Sequence, residues 1–82
     1  MEPITLDYPV KTGKNKDVEI KELFMRRGKV RDQGAARASS KNDFDYEVHL
    51  FANLCEVTPD IINDLDLKDY QKLQKEYKGF LS

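Results

Sequence analysis

The stretch TPDIINDLDLKDYQKLQKEYKGFL, residues 58–81, decides how this chain reads. Thr58-Pro59-Asp60 is a helix start: a hydroxyl at the N-cap, a proline at the first helical position, and a carboxylate near the positive end of the helix dipole. Asp66 offers a second cap eight residues on, and Asp69 stands where a capping-box acid reaches back. From there Leu67, Tyr70, Leu73, Tyr77, Phe80 and Leu81 fall on one side of a helix, with Lys68, Lys72 and Lys75 on the other. Every one of these residue types is suited to packing, and none forms a nucleophile–base pair, a metal-ligand spacing or a phosphate loop.

Working back from that helix, Phe44, Val48, Phe51 and Cys55 recur at helical spacing, flanked by Ala52 and Leu54. Tyr46 and Leu50 lie off this stripe beside His49 and Asn53, so they are expected on the surface, as ordinary exposed residues or as a small contact patch. The hydroxyls of Tyr70 and Tyr77 need water or a partner atom, which places them at a core margin or in an interface. Tyr46, Leu50, Tyr70 and Tyr77 are therefore the candidate partner-binding residues. Residues 29–41 contain helix formers but almost no apolar stripe, and read as a weakly held helix or a loop.

Nearer the N-terminus, Ile4-Thr5-Leu6-Asp7-Tyr8 alternates apolar and polar, and Pro9 is expected to stop it as an edge strand. After a polar turn over residues 11–16, Val18 and Ile20 restart the alternation while Leu23 and Met25 continue it in the opposite phase. Such a phase change predicts a bulge near Lys21-Glu22. The hairpin, about residues 3–26, is marginal in water without a covering layer. The expected fold is α+β, a single small domain over residues 1–82 with an N-terminal β-hairpin packed against a C-terminal bundle of two to four short helices, the helical region spanning about 43–80.

A chain of 82 residues has room for one core. It has no apolar run near the roughly 20 residues that span a bilayer, and its first residues lack the features of a signal peptide. Cys55 is the sole cysteine, which excludes an intramolecular disulfide and suits a reducing cytoplasm. The net charge of −1 conceals segregation: ten basic residues face four acids between Lys11 and Lys41, whereas nine acids face four lysines from Asn42 onward. A solvated basic edge beside an acidic one explains this; surfaces that steer a partner or a second copy are the sharper reading.

Arg26, Arg27, Lys29 and Arg31 form a candidate basic surface. The segment from Arg26 to Lys41 has no aromatic residue on which bases could stack, and the pI near 5.8 lies far below that of dedicated nucleic-acid binders, about 9. His49 with Cys55 on another helical face forms no dyad, and the carboxylates crowd helix beginnings where capping accounts for them. No cofactor, metal site or catalytic set is expected.

In order and spacing, Ile4-Thr5-Leu6 to Pro9, Leu23-Phe24-Met25-Arg26, Lys29-Val30-Arg31-Asp32, the helix around Leu50 to Leu54, Thr58-Pro59, Leu65, Leu67, Asp69-Tyr70, Leu73 and Gly79-Phe80-Leu81 form one pattern. That pattern resembles the small tail assembly chaperones, often called tail protein E, of Mu-like and related contractile-tailed bacteriophages. The chain departs from it at Gly28, where proline is frequent, and at Gln33, where an apolar residue is. The resemblance implies a non-enzymatic role in tail morphogenesis within the host cytoplasm: binding the helical tape measure protein until tube subunits polymerise around it. It also implies, as in several relatives, a longer frameshifted form as a further partner, while the small size and segregated charge suggest self-association. Two other readings stay open, a small nucleic-acid-binding or regulatory protein using the basic 11–41 region, and a minor structural tail protein.

Overall fold

In the computed structural model, which describes residues 2–82, Ile4–Thr12 (β1) and Val18–Leu23 (β2) pair antiparallel as a two-stranded sheet. Four helices follow: Val30–Ser39 (α1), Asp43–Cys55 (α2), Pro59–Asn63 (α3) and Leu67–Phe80 (α4). The architecture is α+β, as the periodicities require. The hairpin turn is built on Gly13 at φ 97°, where a Cβ would stand 2.8 Å from the Asp17 carboxylate.

The hairpin ladder is interrupted. Thr5 pairs with Glu22 and Val10 with Ile20, so four residues of β1 (Leu6 to Pro9) lie opposite Lys21 alone. The bulge falls beside Lys21-Glu22 as the phase change predicts, but the extra residues belong to the first strand. This also explains why Pro9 does not end β1: it sits in the stretch outside the ladder, where its missing N–H costs no hydrogen bond.

Leaving the ladder strands the amides of Asp7 and Tyr8, and Asp69 of α4 supplies their acceptors. Its Oδ1 accepts from Asp7 N–H at 2.8 Å and its Oδ2 from Tyr8 N–H at 2.9 Å. The Asp69 side chain is wholly buried. One turn on, the Lys72 ammonium lies 3.3 Å from Asp69, 3.1 Å from Asp7, and donates to the Thr5 carbonyl at 2.8 Å. Lys68 pairs with Asp7 at 3.0 Å. Asp69 thus serves the hairpin and not a capping box, and Lys68 and Lys72, on the side of α4 away from the apolar stripe, also reach the sheet. Asp66 does cap α4, accepting from Lys68 N–H.

The buried apolar residues form one cluster: Leu6, Leu23 and Met25 from the hairpin side, Val48, Phe51 and Leu54 from α2, Ile62, Leu65 and Leu73 beyond. Phe51 meets the rings of Tyr70 and Tyr77 at 5.7 and 5.6 Å between centroids, inclined as aromatic pairs prefer. The stripes fail at their ends. Phe44, Leu67 and Leu81 are exposed, because each stands at an end of its helix beyond the reach of the covering elements. Residues 30–39 are helical despite their weak pattern. Asp32 accepts from Lys29 N–H at 2.8 Å and so closes the first turn, while Ala36 is fully buried where α1 packs on α2.

Asp69→Ala leaves two amides without acceptors and Lys72 without its buried partner; unfolding in urea followed by circular dichroism should show a loss of about 2–4 kcal/mol. Acid should act on the same contacts. Burial opposes ionisation of Asp69, but the two amides and Lys72 outweigh it and hold its pKa below 3.8; Arg26 and the Lys29 amide lower Asp32 to about 2. These carboxyls bind protons more readily when unfolded, so their stabilisation is complete above the ordinary carboxylate range and drains away as pH falls toward about 2. Urea midpoints should be level near neutrality and drop between about pH 4 and 2, with a shallower fall in Asp69→Asn.

Candidate partner-binding site

The tyrosines and leucine expected to form a contact patch do not stand together. Leu50 is 3% exposed, buried because α2 is covered on two sides, by α1 as well as by the rest of the core. Tyr46 is half-buried beneath the Arg37 guanidinium, 3.8 Å from its ring centroid, and Arg37 also bonds Asp43 at 3.0 Å. Tyr70 donates to Glu47 Oε1 at 2.5 Å, an oxygen that also accepts from Gln74 at 2.9 Å. Burial, then Glu47, pushes the Tyr70 phenol up, so it stays neutral. Its ring lies 6.3 Å from that of exposed Phe44.

The basic surface likewise divides. Arg26 is a joint and not a free cation: it grips Asp32 with both terminal nitrogens at 3.0 and 2.9 Å and reaches the Asn53 carbonyl at 3.4 Å. Its own amide donates to Leu54 O at 3.0 Å, so the hairpin's end, the start of α1 and the last turn of α2 meet on one residue. A cation beside the last carbonyls of α2 also suits that helix dipole. Arg27 donates to Phe80 O at 3.2 Å and lies over the Phe80 ring at 5.6 Å. Lys29 and Arg31 are exposed.

Half of the candidates do converge. Arg27 and Lys29 join Leu50 and Tyr77 around a groove of about 190 Å³ between the start of α1, the middle of α2 and the end of α4. Gly28, Val30, Gln33, Phe80 and Leu81 complete its wall. Val30 is 84% and Leu81 69% exposed, which gives the groove an apolar rim. A lone valine between Lys29 and Arg31 was the available signal for that rim. Tyr46, Tyr70, Arg26 and Arg31 do not line it.

Elsewhere, His49 Nδ1 contacts the Asp45 carbonyl of its own helix at 2.9 Å. Cys55 is buried and its thiol is pushed up to about 11 by that burial. Among the described residues no group of three or more His, Cys, Asp or Glu is placed to hold a metal ion, and no helix is long and apolar enough to cross a membrane.

The fold is thus a small α+β domain with an apolar groove edged by Arg27 and Lys29. The sequence matches, over residues 3–82, the family described as phage tail assembly chaperone proteins, E, or 41 or 14, and the chain belongs to that family. Neither a curated protein nor a solved structure matches it. Membership implies interaction with tail proteins.

The two kinds of arginine and lysine should separate in stability measurements. Arg26→Ala, which opens the three-way joint, should lower unfolding free energy by about 2–3 kcal/mol. Lys29→Ala and Arg31→Ala should each stay within about 0.5 kcal/mol of the parent in urea titration.

Proposed function

We propose that this protein is a non-enzymatic chaperone that binds the tape measure protein during tail assembly in the host cytoplasm, acting as one small domain. The observation that carries this reading is the exposed apolar side chains at the two ends of α4, with half-buried Tyr70, Tyr77 and Phe80 between them. Phe44 and Leu67 mark one end, next to Tyr70, and Val30 and Leu81 mark the other, at the groove. Leu67 and Leu81 stand fourteen residues apart on one helix, a span of about 21 Å. A client helix lying along this line buries apolar residues recurring over four turns, the helix-in-groove mode of recognition. Charged residues around the line, among them Lys29, Arg31 and Lys75, keep both the free chaperone and a reversible complex in solution.

Arg26 is taken up by its pair with Asp32, so a nucleic-acid reading rests on the other basic residues of the 11–41 region. Tyr46, Leu50, Tyr70 and Tyr77 take revised parts in the proposal. Tyr77 and Leu50 line the groove, while Tyr70, bonded to Glu47, and Tyr46 stay outside it.

Co-expression with the long helical product of a neighbouring tail gene should raise its soluble recovery several-fold and yield a co-purifying complex. Leu67→Glu combined with Leu81→Glu should abolish co-purification and leave the far-ultraviolet circular dichroism unchanged, since both side chains are exposed. Equal client solubility with and without the protein would refute the reading.

A further inference from the structure

We infer that the groove between α1, α2 and α4 is a socket for one bulky apolar side chain of a client helix that carries acidic residues on either side of that anchor. The helical client comes from the assembly reading above; the size of the anchor and the acidic flank come from the groove itself.

Size sets the first part. The volume is about 190 Å³, and a cavity of roughly 150 Å³ already holds a benzene molecule, so one phenylalanine, leucine or methionine side chain fills it. The floor is apolar where such a side chain would seat, on Leu50, Tyr77 and Phe80, and the mouth is widened by Val30 and Leu81. A second large anchor has no room.

Charge sets the second. Arg27 and Lys29 line the groove, and Arg31 follows, exposed, in the first turn of α1. The nearest carboxylate on α1, Asp32, is already held by Arg26 in a bidentate pair, so it does not offset the cations at the mouth. The rim therefore attracts acids and repels bases, which fixes both the choice of client segment and its register. Phosphate chains would meet the same cations, but the aromatic rings here are sunk in the groove, where Phe80 is covered by Arg27, and offer no open platform for successive bases.

The test uses the whole protein, isotope-labelled, and two alanine-based helical peptides of about 20 residues with one central phenylalanine, flanked one turn away on each side by glutamates or by lysines. The glutamate peptide should shift the amide resonances of Gly28, Val30, Gln33 and Leu81 and bind about tenfold more tightly than the lysine peptide. Lys29→Glu with Arg31→Glu, both exposed and outside the core, should reverse that order, and replacing the central phenylalanine with alanine should remove the shifts. The inference is overturned by equal binding of the two peptides, by no binding of either, or by a preference that survives charge reversal. It is also overturned if single-stranded DNA shifts the same amides more strongly, or if those amides respond to protein concentration alone, which would assign the groove to a second copy. The two readings separate cleanly. A tape measure protein that co-purifies while the peptides fail removes the socket and keeps the chaperone; peptides that bind as expected while the tape measure protein is ignored keep the socket and remove the client.

Discussion

The fold depends on a carboxylate that stands in for a missing strand partner. Where β1 leaves its ladder, the amides of Asp7 and Tyr8 face the interior, and Asp69 accepts both from the first turn of α4. Buried backbone donors without acceptors cost about 1–3 kcal/mol each, so the bulge and the helix position are conditional on one another. Lys72 completes the arrangement by balancing the buried charge and tying Thr5 and Asp7 to the same helix. A bulge that would otherwise weaken a two-stranded sheet becomes the point at which the helical layer is fastened to it.

Arg26 plays the corresponding part on the other side of the molecule. The two residues have opposite charge and similar logic: each is held by backbone groups and by a side-chain counterion, and each joins segments remote in the chain. The consequence for recognition is indirect. Because Arg26 neutralises Asp32, the cations that remain at the start of α1 act on the groove without an opposing acid in contact. In the socket proposed above, the sign of the rim follows from a structural ion pair.

Much of the fold is legible in the sequence. The helix starts at Thr58-Pro59 and Asp66, the stripe through Val48, Phe51 and Cys55, and the phase change of the second strand all correspond to features of the structure. What periodicity conveys poorly is long-range satisfaction of polar groups. Asp69 at the third position of a helix looks like a cap, and nothing local says that its partners are the amides of residues 7 and 8. Burial on two sides misleads for a related reason: Leu50 lies off the main stripe of α2, and only the arrival of α1 covers it. The groove was half legible, through Leu50, Tyr77, Arg27 and Lys29, but their convergence depends on three helices whose relative placement no local pattern encodes. Val30 and Leu81 carry no periodic signal of a rim, because a single apolar residue among charges and one at a helix end give no repeat.

The bond between the Asp7 amide and Asp69 spans 62 residues, and this bears on how the polypeptide matures on the ribosome. At about 5–20 residues per second, roughly 3–12 s separate translation of the strand from translation of the carboxylate that completes it. During that interval the nascent hairpin has unsatisfied amides, no covering layer and little reason to persist. Emergence of the final helix therefore triggers nearly everything at once: the sheet gains its lid, the bulge its acceptor, and the groove its third wall. The fold closes only after α4 has been translated.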